Sequence, residues 1–156
     1  MKRHAIPVTM SVLTLAIFLL PASVFGQDTP GVTGSGAGSF ASGTILGGVP
    51  LTGVKFGMGV FIPGDSTATG HFQATLSGTS GGQPQDIELE GNAASGSINA
   101  DGSRTFSGTL TMDMGNGTPP LTNVSFTVTA TRTSMTIVLG TTTLPATLTA
   151  GSITIQ

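Results

Sequence analysis

From residue 44 to the end of the chain, apolar and polar side chains alternate with a period of two. Val54, Phe56, Met58, Val60 and Ile62 alternate with Lys55, Gly57, Gly59 and Phe61. Phe72, Ala74 and Leu76 share a face, as do Ile87 and Leu89 opposite Asp86, Glu88 and Glu90. The same rhythm runs through Phe106, Leu110 and Met112, then Val124, Phe126, Val128 and Ala130, then Met135, Ile137 and Leu139. A period of two places one set of side chains on each face of a strand, the signature of a half-buried sheet. Turn signals at Pro63-Gly64-Asp65, Thr79–Pro84, Asn99–Ser103 and Gly115–Pro120 divide the region into about eight short strands. Helical spacing is absent here. The expected fold class is therefore all-β, either an antiparallel β-sandwich or a small closed β-barrel. Pro145 lacks an N–H and belongs at a sheet edge or a bulge.

The chain begins differently. Lys2 and Arg3 precede an apolar run from Val8 to Leu20, then Pro21 and the small-residue stretch Ala22–Gly26. Charge, grease and small residues in that order make a secretory signal peptide over residues 1–26. The run is shorter than the roughly 20 residues of a spanning helix. Cleavage before Gln27 would put Val24 and Gly26 at the small-residue positions. Residues 27–43, QDTPGVTGSGAGSFASG, read as a flexible Gly/Ser-rich linker, with Phe40 able to dock on the domain that follows. Residues 44–156 then form a single β-domain. Export implies an extracellular or periplasmic protein, and a cysteine-free one rests on its core alone. A Gly/Thr-rich exported chain of this kind reads as bacterial.

Charge narrows the partners. Only 8% of residues are charged, against about 25% in ordinary soluble domains. After Gly26 the basic residues are Lys55, Arg104 and Arg132, and seven acidic ones oppose them. Scattered basic residues do not neutralise phosphates, which excludes nucleic acid and disfavours an anionic membrane surface. Trp and Tyr, the usual sugar-stacking and hot-spot residues, are missing.

Phe56-Gly57, Thr69-Gly70-His71-Phe72, Phe106-Ser107-Gly108-Thr109, Phe126-Thr127-Val128-Thr129 and Gly151-Ser152-Ile153 follow one another across residues 56–156. In that order they resemble the small exported bacterial β-domains of the post-COAP type. The Asp that usually follows the fourth motif is replaced by Ala130-Thr131-Arg132. The resemblance implies an accessory β-domain and supplies no catalytic residues.

Candidate chemistry is sparse. His71, the single histidine after Gly26, sits on the polar face of a strand with no nucleophile beside it in sequence. Asp86, Glu88 and Glu90 share one strand face, with neighbours about 6.5–7 Å apart. Glycosidase carboxylates instead face each other across a cleft. The three are calcium candidates at most, as oxygen ligands. Ser97–Gly102 echoes part of a calcium loop but has Ser at the first position and Gly108 at the twelfth, and reads as a hairpin. Asn116-Gly117-Thr118 and Asn123-Val124-Ser125 have the spacing of glycosylation acceptors. The Thr-x-Thr pairs at 67/69, 109/111, 127/129/131 and 147/149 suit a wet sheet face. No cofactor is implied.

Together these features imply an exported, non-enzymatic β-domain with a structural, adhesive or accessory role. One alternative is a carrier whose barrel cavity, lined by Phe and by Met58, Met112, Met114 and Met135, takes a small apolar ligand. A second is an outer-membrane β-barrel, which would need aromatic girdles.

Overall fold

A computed structural model describes residues 30–64 and 66–156. The expected signal peptide over 1–26, residues 27–29 and Asp65 lie outside the described residues. Nine strands run in chain order: β1 (Gly31–Phe40), β2 (Ile45–Leu46), β3 (Val49–Phe61), β4 (Thr67–Ser80), β5 (Gln83–Ile98), β6 (Arg104–Asp113), β7 (Leu121–Ala130), β8 (Ser134–Leu139) and β9 (Thr142–Ile155). Each strand from β3 to β9 pairs antiparallel with the next, and β1 pairs with both β9 and β3. The sheet closes on itself. Of the two architectures open to the sequence, the chain adopts the barrel: an eight-stranded antiparallel meander, with the two-residue β2 paired to β3 outside the circuit.

Alternation does what the sequence implies. Val54, Phe56, Met58 and Val60 point into the barrel, while Lys55 and Phe61 point out. An eight-stranded barrel has an interior just wide enough for its own side chains to fill it or for one small ligand. Phe72, Phe106 and Phe126 meet at the centre of this one, and all three are buried. Large residues face small ones across the ladder, Phe72 opposite Gly91 and Phe126 opposite Gly108. The stretch expected as a loop over 79–84 is tighter than that. β4 and β5 meet at Gly81-Gly82, both with positive φ (58° and 80°), the two-residue hairpin turn that matches strand twist.

The linker expected over residues 27–43 is corrected at 31–40. These residues form β1, the strand that closes the barrel. Its inward positions are Val32, Gly34, Gly36, Gly38 and Phe40, so three of five carry no side chain and the alternation disappears from the sequence. The folded unit therefore begins before residue 44. Phe40 is buried as the last residue of this strand, paired with Ala146 of β9, rather than docked from a linker. Pro145 pairs with Thr136 of β8 and lies one residue beyond Ala146, the last β9 partner of β1. It thus has a strand on one side only, which is how a closed barrel accommodates it.

Two ends result. The first gathers the β5–β6 hairpin loop and the β7–β8 turn, with Gly31 hydrogen-bonded to Gln156 in both directions (3.2 and 3.0 Å). Arg104 closes this end. Arg104 is buried as a residue, and its guanidinium donates to the carbonyl oxygens of Gly102, Ser103 and Gln156. At the second end the β6–β7 connection leans on the β2–β3 turn, with the Met114 methyl against Gly47. Gln85 Nε2 holds the Met114 carbonyl at 2.6 Å.

Candidate functional site

Charged and polar side chains stand mostly on the outer wall, which carries the accessible chemistry. Register aligns its side chains in rows. Lys55, Thr75, Glu88 and Asp113 stand side by side across β3 to β6. The next row holds Gly57, Gln73, Glu90 and Thr111, and the one beyond it Gly59, His71, Asn92 and Thr109. The Gln73 side chain lies over Gly57 on β3, and Pro120 from the β6–β7 connection borders the wall at its β6 side. The result is an open groove of about 500 Å³ lined by Lys55, Gln73, Glu88, Glu90, Asp113 and Pro120, among others.

Two of the three expected acidic residues, Glu88 and Glu90, enter this groove. Asp86 stands outside it, opposite Ser77 nearer the second end. The groove adds Asp113, which chain distance separates from the others but register sets directly opposite Glu88. Three carboxylates and one ammonium group thus line the same groove. Like charges directly opposite on neighbouring strands repel. Asp113 is steadied by the Gly115 N–H, which donates to its Oδ1 at 2.8 Å. Among the described residues, no group of three or more His, Cys, Asp or Glu is arranged to hold a metal ion.

His71 stands on the same wall beside the groove, with Nε2 3.8 Å from Glu90 Oε1 and Nδ1 3.4 Å from Asn92 Oδ1. The two side chains of the His71–Glu90 pair are 45% and 76% exposed, so water screens the contact. Carboxylates and imidazole all rise from one convex wall. Among the described residues, no carboxylate faces them across a cleft as the second carboxylate of a glycosidase does.

The remaining sequence candidates fall elsewhere. Asp101 turns into its own hairpin, where Oδ1 accepts from Ser103 N (2.9 Å) and Ser103 Oγ (2.7 Å). Those two donors hold its carboxyl below the usual carboxylate range. Asn99 ties the same hairpin to Ser103 Oγ and Thr105 Oγ1. Asn116 caps an exposed turn in the β6–β7 connection, and Asn123, with φ of 57°, lies exposed in β7. The hydroxyl residues line the outside of the barrel and bond across strands, Thr105 to Thr129 (3.0 Å) and Ser95 to Ser107 (2.7 Å).

Sequence reasoning missed Arg104. It borders a second open pocket of about 420 Å³ with Asp101, Thr131 and Arg132 at the first end. A lone arginine at a strand start carries no motif, and only the closure of β1 on β9 brings Gln156 beside it. Compared with protein-family models, with curated proteins and with solved structures, the chain matches none.

Proposed function

We propose that this chain is an exported, non-enzymatic β-barrel module that acts through its outer wall, in a structural, adhesive or accessory role at the cell surface or in the surrounding medium. The observation that carries this reading is the packing of Phe72, Phe106 and Phe126 in the barrel centre. A barrel filled by its own rings recognises other molecules from outside. The signal-peptide pattern of residues 1–26 supplies the export part, and the resemblance to post-COAP domains agrees with an accessory role.

The filled interior weighs against the apolar-ligand carrier. The outward Lys55, Glu88 and Glu90 weigh against an outer-membrane barrel, whose outer band must be apolar to meet lipid. The groove across β3 to β6 is the wall's most differentiated feature, and its carboxylates, amide and hydroxyls suit polar surroundings.

The test is native mass spectrometry of the protein purified from its own host without detergent. A bare chain starting at Gln27 is the expected result. An added mass lost on denaturation would move the carrier to first place. Turnover of a substrate that His71→Ala or Glu88→Gln abolishes would overturn the non-enzymatic reading.

A further inference from the structure

The chain has four asparagines, and one of them stands apart. Asn92 is followed by Ala93 and sits within β5, its Oδ1 against His71. Asn99 is followed by Ala100, and its Nδ2 is held by Ser103 Oγ and Thr105 Oγ1 at 2.8 and 2.9 Å. Asn123 is followed by Val124, whose branched Cβ crowds the main chain. Asn116 is followed by Gly117, in an exposed turn, and nothing lies within 4 Å of where a Gly117 Cβ would be. Its Oδ1 accepts two hydrogen bonds, from Thr118 N at 3.0 Å and Thr118 Oγ1 at 2.6 Å. Among the described residues no bond restrains its Nδ2.

We propose that Asn116-Gly117-Thr118 is a self-modification site, at which Asn116 converts without an enzyme to aspartate and isoaspartate. The main-chain nitrogen of Gly117 loses its proton to solvent base and attacks Asn116 Cγ, forming a five-membered ring. Negative charge builds on Oδ1 as the new N–C bond forms. Thr118 N–H and O–H already point at that oxygen, the arrangement by which preorganised donors stabilise an oxyanion. The ring intermediate then expels Nδ2, which leaves as ammonia after taking a proton from water. Water adds to either carbonyl of the cyclic imide and opens it, giving aspartate or isoaspartate. The sequence is redox-neutral and consumes only water. Gly117 makes the attack possible, because a side chain there would shield the nitrogen. Thr118 makes the folded turn more reactive than the bare dipeptide.

The product adds a carboxylate to the connection that carries Pro120 to the groove rim. Isoaspartate also lengthens that connection by a methylene, which breaks the hydrogen-bonded turn.

Peptide mapping of the purified full chain tests this, after incubation over a series from mildly acidic to mildly alkaline pH. A synthetic peptide spanning residues 113–120 runs alongside. The fragment from Thr105 to Arg132 is expected to gain the mass of OH in place of NH2, and fragmentation places it at Asn116. Conversion should quicken as pH rises and should match or outpace the free peptide. Thr118→Val should slow it in the folded chain and leave the peptide's rate nearly unchanged. An Asn116 that stays intact in the folded protein while the peptide converts would overturn the proposal. So would equal conversion at Asn92, Asn99 and Asn123, or a Thr118→Val chain that converts at the original rate.

Discussion

Phe72 and Phe126 stack inside the barrel with ring centroids 5.6 Å apart and planes 18° from parallel. Phe106 meets both edge-on, at 6.0 and 6.1 Å. Three rings from β4, β6 and β7 thus pack together in the barrel's core. Phe106→Ala should cost about 3–5 kcal/mol, the range for emptying a buried aromatic site. Phe106→Leu should cost distinctly less. Urea unfolding curves measure both. A loss from Phe106→Ala below that of an ordinary surface change would mean the rings do not hold the core together.

Gly151 has φ of 88°, and a Cβ there would lie 2.2 Å from the Ser35 carbonyl oxygen. It therefore sets how closely β9 approaches β1. Gly151→Ala combines backbone strain of about 1–3 kcal/mol with a main-chain clash. Amide exchange should accelerate first in β1, with β4 and β5 protected longest. Uniform acceleration through all strands would show that the closing seam is no weaker than the rest.

Glu88 and Asp113 are directly opposed on neighbouring strands. Removing one charge relieves their repulsion, so Glu88→Gln should stabilise the barrel by about 0.2–1 kcal/mol at low salt. The gain should shrink as salt screens the pair. A loss of stability that persists at high salt would show that Glu88 holds the groove together through another contact.

Asp101 gives the chain an acid-sensitive hairpin. The Ser103 hydroxyl, and then its N–H, lower the carboxyl below its ordinary value. The folded state thus gains stability above the unfolded pKa, about 3.9, and loses it as pH falls through the lower folded value. Asp101→Asn should flatten the dependence of the thermal midpoint on pH in that acid range. Identical acid limbs for the two proteins would assign the loss to other carboxylates.

Where alternation was strong, the sequence was a good guide to the fold. Phe56, Leu76, Ile87 and Ile137 all point inward as their period implied. Closure was not legible, because it depends on β1, whose inward Gly34, Gly36 and Gly38 have no side chain to reveal the period. The candidate site was half legible. Glu88 and Glu90 lie on one strand and share a face by counting, whereas Lys55 and Asp113 join them only through register across four strands. Local rules see spacing along the chain, and a groove on a barrel wall is built perpendicular to it.

The seam between β1 and β9 also governs when this molecule can become itself. Val32 pairs with Ile155, nearly the whole length of the domain away in sequence. Every other seam of the circuit but the one between β1 and β3 joins strands that follow one another in the chain. A growing chain can zip its meander hairpin by hairpin, yet the ring stays open until its last strand arrives. Contacts of such long sequence separation slow folding, because a large loop must close before they form. Until that moment two unpaired edges face outward, each a template for another strand. The slow step and the interval of greatest aggregation risk therefore coincide in a single event, the meeting of the first strand with the last.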